Sequence, residues 1–224
     1  MSSVRIATDN VVPLRIHTWV GESAEYQVLK RTVDIVVSAA AIVVLSPVFL
    51  VVALLIKFTD GGPIFFRQKR VGLGGRVFEF VKFRSMVVDA EARKQALMKM
   101  NKHNNSITFK MTRDPRVTWI GQILRKTSID ELPQLWNVLV GEMTLVGPRP
   151  AVIPEVERYS LRQRRRLNVT PGLTCIWQVS GRADLDFHQQ VDLDIEYIRE
   201  RSIWYDFKLI LLTFPAVFSG RGAY

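Results

Sequence analysis

The densest chemistry in the chain lies in Arg125-Lys126-Thr127-Ser128-Ile129-Asp130-Glu131-Leu132-Pro133. Adjacent carboxylates bracketed by Arg and Lys are the parts needed to handle a phosphate with a divalent ion. Mg²⁺ takes one or two protein carboxylates and lets phosphate oxygens complete its shell. Arginine meets phosphate bidentately, and a carboxylate can itself attack to form an acyl phosphate. A capping role is equally open. Ser128-x-x-Glu131 matches a capping box, but that register places Pro133 inside the helix, where its missing donor and its ring both cost stability. With Asp130 as the cap, Pro133 falls in the first turn, whose donors are free anyway. Both acids then sit at the positive helix end that attracts phosphate. Capping and catalysis are compatible, and these residues alone leave both open.

Other charged positions are less concentrated. Arg149 stands between Pro148 and Pro150, which stiffen the backbone around it. Arg182 follows a glycine turn, with Asp184, Asp186, Asp192 and Asp194 beyond it; taken singly, each reads as a solvated charge. Arg162, Arg164, Arg165 and Arg166 read as a solvated or lipid-facing basic face. The three histidines are scattered, so a multi-His metal site is not expected. The single cysteine, Cys175, excludes an intramolecular disulfide and reads as packing.

The elements that must position these residues are mostly helical. A strand pair is predicted around Gly72–Gly75, whose glycines fit a hairpin turn better than any phosphate loop. Helices are predicted over 86–103, around Trp119–Arg125 and over 131–140, the last stopping at Gly141. A basic helix from Pro154 to Leu167, an irregular strand-like PGLTCIWQVSG and a helix over 187–200 follow. The aromatic stretch 203–218 suits a core or an interfacial amphipathic helix equally well. The fold class is α+β and helix-dominated.

The chain has 224 residues, with 31 basic against 21 acidic side chains and a net charge of +10. A hydrophobic fraction of 48% with 23% charged excludes a disordered or low-complexity protein. The apolar residues are concentrated between Val33 and Ile56, where only Asp34 is ionisable. As one helix this run is long enough to cross a bilayer core of about 30 Å. Ser46-Pro47 interrupts it, and each half reaches only ~18 Å at ~1.5 Å per residue. Lys30 and Arg31 precede it and Lys57, Arg67, Lys69 and Arg70 follow it, so both flanks carry the cationic excess of a cytoplasmic side. A helix-break-helix hairpin that returns to its starting face fits both facts better than a span. The expected division is an extension over 1–29, a re-entrant membrane helix over 30–58 and a small cytosolic domain over 59–224.

The motifs in order, PIFFRQKRVG, KFRSM (Lys82–Met86), TSIDELPQLWNVLVGEM, VGPRP, PGLTCIWQVSGR and SGRGAY, resemble the bacterial sugar transferases, or monotopic phosphoglycosyl transferases. The resemblance covers roughly 28–224. It implies transfer of a sugar-1-phosphate from a UDP-sugar to undecaprenyl phosphate, releasing UMP, at the inner face of the bacterial cytoplasmic membrane, as an opening step of exopolysaccharide or glycoconjugate synthesis. It implies that Asp130 is the nucleophile forming a covalent phosphosugar intermediate. Glu131, with Asp130, would hold Mg²⁺. Arg125, Arg149, Arg182, Lys82 and Arg84 would bind substrate phosphate. Membrane lipids are the expected surroundings, and an exposed hairpin with an aromatic tail suits a homodimer. A basic surface attracts both anionic substrates and anionic headgroups. Two other classes compete: a membrane-tethered nucleic-acid binder, which the charge and Arg162-Gln163-Arg164-Arg165-Arg166 suggest, and a non-catalytic scaffold. The first leaves Asp130 and Glu131 without a purpose, so no nucleic-acid partner is expected. The second requires Asp130→Asn to be silent.

Overall fold

The computed structural model describes residues 24–97, 114–181 and 185–219. Its first element, α1 (Ala24–Asp60), extends beyond the expected 30–58 and is long and apolar enough to cross a membrane. It runs through Ser46-Pro47 as one helix, where the sequence predicts two. The reason is local. Pro47 has no N–H for the Val43 carbonyl one turn back, and the Ser46 hydroxyl donates to that same carbonyl at 2.8 Å. An orphaned carbonyl would be costly in lipid, and the serine removes that cost.

α1 lies along the rest of the molecule. Val33, Ala41, Ile42, Leu45 and Phe49 pack on the main core. Val52 and Ile56 are buried in a smaller one with Phe83, Ile120 and Leu124. The opposite face exposes Val36, Val43, Val44, Leu50, Val51 and Leu54. Polar contacts fasten both ends. Lys30 pairs with Asp206 at 2.5 Å and donates to the Val146 carbonyl. Arg31 donates to the carbonyls of Val138 and Leu139 at 2.7 and 2.8 Å. Asp34, the lone acid of the apolar run, is buried and accepts from the Thr144 hydroxyl and the Leu145 amide. At the far end Asp60 holds the Arg84 guanidinium.

Strands β1 (Phe65–Val71) and β2 (Val77–Phe83) form the expected hairpin about a 3-10 turn at Leu73–Gly75. Its register runs from Phe65 opposite Phe83 to Val71 opposite Val77. Because side chains alternate along a strand, Arg70, Phe78, Phe80 and Lys82 share one face, and both phenylalanines are buried. α2 (Ala90–Leu97) occupies part of the predicted 86–103 helix, and residues 98–103 lie outside the described ones. α3 (Trp119–Lys126) is capped by the Thr118 hydroxyl, which accepts from the Gly121 amide. α4 (Gln134–Val140) ends at Gly141 in the left-handed conformation that glycine tolerates.

β3 (Thr144–Val146) leads to the Gly147-Pro148-Arg149-Pro150 corner and β4 (Ala151–Val152), which pairs antiparallel with β1. The predicted basic helix over 154–167 is two pieces, α5 (Ile153–Val156) and a 3-10 helix at Gln163–Asn168. Between them Tyr159 is buried, and beyond it Arg166 turns inward rather than to solvent or lipid. β5 (Gly172–Thr174) runs parallel to β3. The tail of PGLTCIWQVSG is helical, α6 (Ile176–Ser180). α7 (Phe187–Glu200) has the capping box of Asp186 and Gln189. α8 (Ile203–Ser219) buries Leu209 in the core and exposes Trp204, Phe207, Leu211 and Phe214, so the aromatic stretch serves the core on one face only.

Candidate active site

Asp130 and Glu131 sit in a 3-10 turn, Ile129–Glu131, between α3 and α4. Ser128 leads into it with φ of 56°, the only non-glycine residue with positive φ among the described residues. Such a conformation is costly for a residue with a Cβ and concentrates where geometry is over-determined. No side-chain cap bond forms at Ser128, and Pro133 takes the N-cap position of α4. Both acids therefore stand one turn before the helix, and Asp130 is not its cap. Pro133 suits its place because an N-cap amide has no partner within the helix.

The turn packs against β2 and the end of α3. That contact brings the Lys82 and Arg125 charges onto Asp130. Arg149 arrives from the corner after β3, and its guanidinium grips Glu131, Nη2 to Oε1 at 2.7 Å and Nη1 to Oε2 at 3.4 Å. The corner is pinned on both sides of Arg149. The Gly172 amide donates to the Pro148 carbonyl at 2.8 Å, and Arg70 donates to the Pro150 carbonyl at 2.9 Å.

The two acids are unequal. Burial, then the negative charge of Glu131, push the Asp130 carboxyl up to about 6, against the pull of Lys82, Arg125 and Arg149. Burial also acts on Glu131, but the Arg149 charge and hydrogen bonds outweigh it and hold that carboxyl below the usual range. Burial lowers the Lys82 ammonium, partly offset by both acids. Among the described residues no side chain donates a hydrogen bond to Asp130, in contrast to Glu131, which Arg149 holds. The charges of Lys82, Arg125 and Arg149 act on Asp130 and those of Arg149, Lys82 and Arg70 on Glu131, a basic setting that attracts anions.

The other expected site residues are placed differently. Arg84 is buried against Asp60 at the end of α1, where the apolar helix meets the rest of the chain, and does not join the acid cluster. Arg182 lies outside the described residues. Arg70 was not singled out by sequence reasoning; burial and the adjacent Arg149 push its guanidinium down to about 10. The signal was the hairpin register, which sets Arg70 on the Lys82 face. Gln134, buried one turn after the acids, has a side-chain amide nitrogen without an acceptor among the described residues.

No group of three His, Cys, Asp or Glu side chains is gathered among the described residues. The two adjacent carboxylates still fit Mg²⁺, a hard cation that completes its shell with water and substrate phosphate oxygens. Glu131 Oε2, held only at 3.4 Å, and Asp130 are the oxygens that would take it.

A second charged cluster lies deeper. Arg166 approaches Asp194 at 2.7 Å, donates to the Tyr159 hydroxyl at 2.8 Å and lies over the Tyr159 and Phe187 rings. Burial pushes the Asp194 carboxyl up to about 6 against the opposing Arg166 charge. Neither residue is the solvated charge its sequence context suggests.

Residues 25–220 match the model of the bacterial sugar transferase family, and the chain belongs to that family. It is 44% identical over 229 residues to a galactosyl transferase, CpsE, of Streptococcus agalactiae, covering 97% of this chain and 51% of that one. It is 42% identical over 198 residues to the exopolysaccharide production protein ExoY of Sinorhizobium fredii, covering 87% and 88%. An undecaprenyl-phosphate galactose phosphotransferase of Salmonella typhimurium is 41% identical over 227 residues, covering 98% of this chain and 46% of that one. The chain thus spans about half the length of CpsE and of the Salmonella protein, and most of ExoY.

Proposed function

We propose that this chain is a phosphoglycosyl transferase that moves a sugar-1-phosphate from a UDP-sugar to a polyprenyl phosphate such as undecaprenyl phosphate, releasing UMP, in exopolysaccharide synthesis. The observation that carries the reading is the asymmetry of the acid pair. Glu131 is engaged by Arg149, while Asp130 is buried beside Lys82 with oxygens that accept no side-chain hydrogen bond among the described residues. A nucleophile needs a free oxygen, and a neighbouring acid tied to a cation is suited to binding instead.

The reaction is a double displacement. An Asp130 oxygen attacks the phosphorus bearing the sugar, the bond to the bridging oxygen breaks, and UMP departs with that oxygen. The result is an aspartyl-phosphosugar. An oxygen of the polyprenyl phosphate then attacks the same phosphorus, the bond to Asp130 breaks, and the carboxylate is regenerated. Lys82, Arg70, Arg125 and Arg149 offset the phosphate charges in a partly desolvated setting, where such contacts strengthen. Mg²⁺, when held by Glu131 and Asp130, supplies further charge neutralisation to the diphosphate.

The membrane arrangement follows from α1. Both of its ends are fastened to one domain and both flanks are basic. This supports a helix that meets the bilayer with its exposed apolar face, with the domain it is fastened to on the cytoplasmic face of the inner membrane. The names of the relatives, a galactosyl transferase and an undecaprenyl-phosphate galactose phosphotransferase, support the same substrate classes.

The test is UMP release from a panel of UDP-sugars with undecaprenyl phosphate, with and without Mg²⁺. Asp130→Asn is expected to abolish release. Wild-type turnover by that variant would refute the reading.

A further inference from the structure

Between α1 and α8 lies an open cavity of about 320 Å³, separate from the acid cluster. That volume is at the lower end of small-molecule sites, roughly 300–1,000 Å³. Its walls are Val33, Leu145, Val146, Trp204, Phe207 and Ile210. Lys30, Asp34 and Asp206 also line it, but their charges are turned elsewhere. Lys30 and Asp206 pair with each other, and Asp34 is held by Thr144 and Leu145. What remains for an occupant is an apolar surface of branched and aromatic side chains.

We infer that this cavity receives the isoprenoid chain of the lipid acceptor next to its phosphate. The inference rests on the proposed transferase activity and adds a place for the second substrate. Two observations favour that occupant. First, the cavity wall includes Val146, and Arg149 follows three residues later. The backbone between them reaches at most ~11 Å, so the cavity wall and the arginine corner are close neighbours in the fold. Second, the cavity opens on apolar surface: Trp204 and Phe207 both line it and stand exposed on α8, which also exposes Leu211, so a chain leaving the cavity meets side chains that suit lipid. A soluble nucleotide-sugar has no use for such a wall.

Two variants and one cross-link test it, in phospholipid vesicles with undecaprenyl phosphate. Trp204→Ala removes a side chain that is 76% exposed, so the core is left intact. Ile210→Trp fills the cavity. Each is expected to raise the KM for undecaprenyl phosphate roughly three- to tenfold, the scale of losing part of one apolar contact area. The donor KM and the acceptor-independent burst of UMP stay at the wild-type values. An unchanged acceptor KM in Trp204→Ala overturns the inference. Loss of the UMP burst in the wild-type protein instead defeats the proposed activity, so the two failures are distinguishable. A photoreactive phenylalanine analogue replacing Phe207 is expected to capture undecaprenyl phosphate. Capture of phospholipid alone, or of residues 1–23 of the chain, names another occupant and overturns the inference.

Discussion

Arg149 holds Glu131 by both carboxylate oxygens, at 2.7 and 3.4 Å, and this pairing separates the roles of two acids that are adjacent in sequence. The arginine is itself immobilised, since hydrogen bonds from Gly172 and Arg70 fix the carbonyls of the prolines on either side of it. Arg149→Lys keeps a charge but loses the planar fork that matches a carboxylate or phosphate. Its kcat/KM is expected to fall about 10²-fold, the scale of one electrostatic contact in a site of this kind, while the melting temperature changes little. Steady-state kinetics with a thermal melt check it; full activity in the lysine variant would deny the fork its role.

The raised Asp130 carboxyl sets an acid limit on activity. Only the ionised form attacks, and its pKa stands at about 6. Activity is therefore expected to fall about tenfold per pH unit below 6. Lys82 opposes the upward shift, so Lys82→Met should move the limb to higher pH. A kcat/KM–pH profile of both proteins reads the free enzyme's limb, and a limb near 4 in the wild type would contradict it.

The same shift bears on stability. A carboxyl whose folded pKa exceeds its unfolded value costs stability as pH rises from about 4 through 6, because the folded state holds the proton more tightly. At pH 7.5 that cost is present in full. Asp130→Asn removes it, and is expected to melt at or above the wild-type temperature while losing turnover. Melting several degrees lower would mean that the ionised acid supports the fold.

Ser128 stores strain beside the acids. Ser128→Gly relieves a left-handed penalty of roughly 1 kcal/mol and should stabilise slightly with activity retained. Ser128→Val should cost about 1–3 kcal/mol and reduce turnover, since a β-branched residue tolerates this conformation poorly. Chemical denaturation of both variants checks the order, and equal stabilities would remove the strain argument.

The close approach of Gly147 and Gly172 supports the arginine corner from behind. A Cβ at Gly172 would lie 2.0 Å from the Gly147 amide nitrogen, against backbone that cannot step aside. Gly172→Ala is expected to lower both stability and activity, because Gly172 also bonds the Pro148 carbonyl. Wild-type denaturation and turnover in this variant would show that the corner accommodates the extra carbon.

The acid cluster was legible because its residues are contiguous in the chain, and the hairpin because glycines punctuate alternating strands. Arg149 was legible through its flanking prolines. Arg70 was not, since its relation to Lys82 passes through the register of two strands. Arg84 shares a short motif with Lys82, yet Asp60 draws it away to the end of α1. Arg166 read as surface because basic runs usually are; its partner Asp194 is distant in sequence, and only the fold brings them together. The continuity of α1 through Pro47 was hidden because a hydroxyl, Ser46, supplies the missing hydrogen bond.

The central claim is that Asp130 carries the phosphosugar. Wild-type protein should be quenched with acid-compatible digestion soon after mixing with a labelled UDP-sugar in the absence of lipid acceptor, and the peptide bearing Asp130 weighed. A phosphosugar increment on that peptide, lost on adding polyprenyl phosphate and absent in Asp130→Asn, is the predicted result. Active protein with no such increment at any early time, or with the label on another residue, would contradict it.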